Sequence, residues 1–161
     1  VIFGIPVLIP IAWFGIIYMS INFCYFLTDT QFPFRNDIDY YFTILIAIFV
    51  VLLDLVLDPL AVDEKRWSWE SSGIYYGVPL LNFFGWLLVP ILVLLIFHQY
   101  SKPLIVTVDS FSALFQYFPA ILFIVLPIIA SRPCFERDLK IPGYLGIILS
   151  TIYFLLVMNK Y

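Results

Sequence analysis

Long apolar runs recur along this chain, and each is suited to a bilayer rather than to a core surrounded by water. Crossing roughly 30 Å of hydrocarbon takes about 20 predominantly apolar residues in a helix. Five segments meet or approach that length: 1–27, 40–57, 83–97 (extendable back to 78 or forward to 99), 111–130 and 144–158. The second is polar only at Thr43 and Asp54. Strands compete for any run rich in Ile, Val and Phe. A membrane barrel, however, needs polar and apolar residues in alternation, and unbroken stretches such as 44–53 have none. The expected fold class is all-α, a polytopic integral membrane helical bundle of about five transmembrane helices, with a single transmembrane domain over 1–161. Pro10, Pro119 and Pro127 fall inside spans. There they are tolerated because neighbouring helices and side chains recover the freed carbonyls, and kinks are predicted near them.

Composition supports the same class. Charged residues make up 12% of the chain, against about 25% in an average soluble domain, too few to cover a watery surface. The net charge of −3 offers no basic stripe, so a nucleic-acid partner is excluded. Cys24 and Cys134 lie far apart and His98 is the single histidine. No zinc or iron–sulfur site is expected from that pattern. The sequence opens at Val1 inside an apolar stretch, without Met or a charged leader. A further N-terminal segment is therefore expected before it. Lys65, Arg66, Arg132, Arg137 and Lys140 follow the second and fourth spans, while the other side has Arg35, Lys102 and Lys160. The excess of positive charge predicts segments 58–72 and 131–140 together on the cytoplasmic face of the cell membrane.

The segment from Asp54 to Trp86 holds most of the candidate chemistry. It reads D-L-V-L-D-P from Asp54 to Pro59, then W-S-W from Trp67 to Trp69, then Y-Y-G-V-P-L-L-N-F-F-G-W from Tyr75 to Trp86. Asp54 and Asp58 are four residues apart and share one helix face. Asp54 sits about a turn inside the membrane boundary, where an ionisable residue is a functional candidate by default. A carboxyl that keeps its proton in an apolar pocket is a general acid. Asn82, beside a Gly-Val-Pro turn, carries an amide that has to find a partner. Each residue also has a plainer reading. Asp54 serves as interhelical glue, and Asp58 simply ends a helix before Pro59. Asp63, Glu64 and Glu70 are solvated loop charges, and the tryptophans and His98 are interfacial residues. Taken together, these residues predict an aromatic-lined apolar cleft around a loop that re-enters the membrane, suited to a hydrophobic substrate arriving from the bilayer.

At this cluster the chain resembles the membrane carotenoid hydratases of the CruF type. These include the bisanhydrobacterioruberin hydratases of halophilic archaea and the γ-carotene hydratases of some bacteria. The matching positions are Asp54, Asp58, Pro59, Trp67, Trp69, Gly77, Pro79, Asn82, Phe83, Gly85 and Trp86. The opening G-I-P-V-L-I-P-I-A-W, Gly4 to Trp13, is similar to the family's early segment. The likeness covers roughly the first 100 residues; beyond them only hydropathy matches. The resemblance implies addition of water across the terminal carbon–carbon double bond of an acyclic carotenoid end, without a redox cofactor. On that reading Asp54 or Asp58 is the acid and Asn82 holds the water. Trp13, Trp67, Trp69, Tyr76 and Trp86 then line the site for a carotenoid or other long apolar polyene. Two other readings use the same features: a non-catalytic pigment- or lipid-binding subunit of a larger membrane complex and, less well supported by the few charges inside spans, a small transporter.

Overall fold

In a computed structural model, described over residues 8–28, 40–70, 72–101 and 113–160, the chain forms five α-helices. They are α1 (Leu8–Thr28), α2 (Tyr40–Asp63), α3 (Leu80–Ser101), α4 (Ala113–Glu136) and α5 (Lys140–Met158). All five are long and apolar enough to cross a membrane, as the run lengths predict. Residues 1–7 and 102–112, which include parts of the first and fourth expected spans, lie outside the described residues.

The central helix is α2. Thr43, Ile46, Val50, Leu53, Asp54, Asp58 and Ala61 are all buried along it, and every other helix packs against it. α4 and α5 form an antiparallel pair, α1 lies on α4 and α2, and α3 packs on α2. The backbones of α1 and α3 approach each other little.

Two helices run further than hydropathy suggests. α2 continues through Pro59 to Asp63, so Asp58 does not end it. Proline at 59 cannot donate to the carbonyl four residues earlier, that of Leu55; the Tyr75 hydroxyl donates to that oxygen at 3.0 Å instead. α4 continues through Pro133 to Glu136, leaving only 137–139 as the connection to α5. Both helices stop in the same way. Leu139 N–H donates to the Cys134 carbonyl and Asp138 N–H to that of Phe135, with Asp138 at φ 59°. Arg66 N–H donates to the Ala61 carbonyl and Lys65 N–H to that of Val62, with Lys65 at φ 57°. These are Schellman closures with a charged residue in the left-handed place usually taken by glycine.

The α4–α5 contact depends on small residues, as expected where hydrocarbon surrounds the helices and close backbone approach drives association. A Cβ on Gly146 would collide with Ser131 Oγ and the Pro127 carbonyl. Next to Pro127 the α4 ladder opens and Ser150 of α5 enters it. Ser150 Oγ accepts from Ile128 N–H at 3.0 Å and donates to the Ile124 carbonyl at 2.7 Å. Phe23, Phe49, Phe123 and Tyr153 fill the interior between α1, α2, α4 and α5 with interlocked rings. Arg137 pairs with Asp63 at 3.3 Å and Glu64 at 3.2 Å, putting the α2–α3 and α4–α5 connections on one face, as the charge pattern predicts. At the opposite end Lys160 donates to the Phe26 carbonyl in the last turn of α1, where a cation opposes the helix dipole.

Candidate functional site

The α2–α3 connection turns back on itself as a tight hairpin. Gly73 N–H donates to the Gly77 carbonyl, and Val78 N–H to that of Tyr75. Tyr76 at φ 49° and Gly77 at φ 84° make the reversal, and a Cβ at 77 would be strained in that conformation. The hairpin carries two phenols with separate anchors. Burial first, then Tyr76 and Cys134 nearby, push the Tyr75 phenol up to about 12. Its hydroxyl donates to the Leu55 carbonyl at 3.0 Å. Tyr76 Oη accepts from Ile141 N–H at 3.4 Å, one of the orphan donors in the first turn of α5.

With the hairpin fixed, α3 starts at Leu80 and its first turn faces the end of α2. That brings Asn82 between the two acids. Asn82 Nδ2 donates to Asp54 Oδ2 at 3.2 Å and also to Asp58 Oδ2. An amide nitrogen carries two hydrogens, one for each carboxyl. The shared amide holds the two carboxyls side by side on one face of the helix. Both acids are 2% exposed. Asn82 is only half-buried, the most accessible member of the trio.

Trp86, one turn further along α3, presents its indole to Asp58 and packs with Ile17 and Val50. Its ring face is covered by Trp13 of α1, with centroids 3.6 Å apart and planes 8° from parallel. Beyond Trp13 lies an apolar groove of about 690 Å³ between α1 and α3, with Phe14, Ile17, Tyr18, Val93 and Phe97 among its walls. Its volume falls in the range of about 300–1,000 Å³ usual for small-molecule pockets. From Ile9 to Ile21 of α1, at 1.5 Å per residue, it runs about 18 Å along the helices, more than half of the hydrocarbon thickness.

Of the candidates named from sequence, Asp54, Asp58, Asn82, Trp86 and Trp13 come together here. Tyr76 is held at the start of α5. In the connection between helices, Trp69 is exposed; Trp67 is half-buried, and its indole nitrogen has no partner among the described residues. His98 is buried at the other end of α3. Among the described residues no cluster of His, Cys, Asp or Glu is arranged to hold a metal ion. Sequence reasoning missed the groove walls, for which the one available signal is Phe14 and Tyr18, a helical turn apart beside Trp13. It also missed the role of Tyr75, readable from Pro59 standing four residues after Leu55.

A family model described as "Carotenoid biosynthesis protein" matches residues 1–153. No curated protein and no solved structure matches.

Proposed function

The chain belongs to the carotenoid biosynthesis protein family, and from that premise we propose that it is a membrane hydratase adding water to the terminal double bond of an acyclic carotenoid end. The observation that carries this reading is the buried Asp54–Asp58 pair, bridged by Asn82 and backed by the Trp86–Trp13 stack at the end of an apolar groove. The acid pair gives its proton to the less substituted carbon of the terminal C=C. A C–H bond forms as the π bond breaks, leaving a tertiary carbocation. The Trp86 face beside Asp58 stabilises that charge. Water attacks the cation and a C–O bond forms. The oxonium then loses its extra proton to the carboxylate, so the acid is restored and the net change is one water added. Asn82 is where water enters from the polar face and is oriented.

The test is expression in a lycopene-producing host followed by mass analysis of the extracted pigments. Products heavier by one or two waters support the reading, and unchanged lycopene beside a well-expressed, folded protein refutes it. The groove alone, apolar throughout and able to hold about 18 Å of an extended chain, favours a second reading as a carotenoid-binding subunit. An unreacted polyene retained in fixed stoichiometry on the purified protein is the result that selects it.

A further inference from the structure

On the basis of the hydratase reading, we propose that Trp13 is the gate of the groove. Its ring seals the groove from the Asp54–Asp58 pair, and a chain from the bilayer reaches the acids only when its flat unsaturated end replaces Trp13 on the face of Trp86.

The order of the groups argues for this. Trp13 lines the groove, whereas Asp54, Asp58, Asn82 and Trp86 do not. Asp54 and Asp58 are each 2% exposed and Trp86 is 6% exposed, so no open path joins the groove to the carboxyls. Between them stand two parallel rings: Trp13 against the groove, and Trp86 behind it with its indole at Asp58. A substrate in the groove therefore meets Trp13 first.

Trp13 is also the member of the stack that is able to move. It is half-buried where Trp86 is buried, and the cavity of about 690 Å³ on its open side gives the ring somewhere to turn. Trp86 is held by Ile17 and Val50 as well as by Asp58. The backbones of α1 and α3 approach little, so Trp13 swings without separating packed helices. The place it leaves fixes what enters. A centroid distance of 3.6 Å at 8° is the spacing of two flat π systems in contact. A planar sp² chain end fits that slot with the same stacking contact that Trp13 gives up. A puckered saturated ring or a polar headgroup does not. The groove holds about 18 Å of chain, so the remainder extends into lipid.

The gate is tested by carboxyl modification of the full chain in phosphatidylcholine vesicles, comparing dicyclohexylcarbodiimide, which partitions into the bilayer, with a water-soluble carbodiimide. Labelling of the peptide carrying Asp54 and Asp58 is followed by mass spectrometry. Wild type should label slowly with the apolar reagent. Trp13→Ala should label at least tenfold faster, Trp13→Phe should fall between, and lycopene added to Trp13→Ala vesicles should slow the reaction again. Labelling of Glu64 and Glu136 with the water-soluble reagent should not change, which separates an opened gate from an unfolded chain. Equal rates in wild type and Trp13→Ala, or faster labelling of the wild-type pair by the water-soluble reagent, overturn the gate. If Trp13→Ala has unfolded, the Trp13→Phe comparison decides alone. Gated labelling without hydration of lycopene leaves the gate standing and removes the hydratase; hydration without Trp13-dependent labelling does the reverse.

Discussion

Replacing Asp54 or Asp58 with Asn separates the chemistry of the site from its architecture. Asn matches Asp in shape, and its carbonyl oxygen can still accept from Asn82 Nδ2, which reaches Asp54 at 3.2 Å and also bonds Asp58. The substitution keeps the hydrogen-bonded trio and removes one ionisable group from a site where both acids are 2% exposed. The expected change in stability is within about 1 kcal/mol, the net worth of one hydrogen bond. What disappears is a carboxyl that the proposed mechanism uses as its acid. A positioned general acid contributes about 10²–10⁴-fold, or about 3–5 kcal/mol of barrier at 1.36 kcal/mol per decade. Each single variant should therefore lose hydration by that factor while its thermal midpoint in detergent stays near wild type. The assay is pigment mass analysis from a lycopene-producing host, normalised to the amount of folded protein, with thermal unfolding of the purified variants alongside. Near wild-type hydration by both single variants refutes the paired-acid mechanism. A loss of several kcal/mol of stability refutes the architectural half of the argument, because it would mean the carboxyl charge itself holds α2 to α3.

Three further expectations concern the scaffold. Gly146→Ala forces a methyl into Ser131 Oγ and the Pro127 carbonyl, so it should destabilise by about 1–3 kcal/mol, the usual cost of overpacking, in thermal unfolding of the detergent-solubilised protein. Tyr153→Phe removes a buried hydroxyl that has no partner among the described residues; unfolding should show it neutral or stabilising, because an unsatisfied buried polar group costs about 1–3 kcal/mol. The Tyr75 phenol, raised from its usual 10.0 to about 12, is protonated in both folded and unfolded chains below about pH 10, so its contribution to stability is complete there. It is lost as pH rises from about 10 to 12, where only the unfolded chain gives up the proton, and the difference between wild type and Tyr75→Phe should be flat below that window and decline within it.

Hydropathy is a local property, and what depends on it is legible in the sequence. The five spans, the side shared by Arg137 and Asp63 and the common face of Asp54 and Asp58 all follow from run length, charge and helical period. In lipid every backbone group must be satisfied within the protein, so a long apolar run has little choice but helix. Helix ends are less legible. Proline at 59 reads as a stop, yet α2 continues, because the Tyr75 hydroxyl, twenty residues beyond Leu55, takes that residue's freed carbonyl. The two stops that occur use Lys65 and Asp138 in a left-handed conformation that propensity assigns to glycine.

The site lies between these cases. Its acids and amide stand out as polar residues in apolar surroundings, so each is visible singly. That Asn82 bridges both acids depends on the hairpin setting the register of α3 against α2. The stack of Trp13 on Trp86, and the groove behind it, arise where α1 and α3 lean on α2 without closing on each other. No run length or periodicity encodes that gap, because it is set by the sizes of side chains on three helices packed together. Only the tertiary structure decides it.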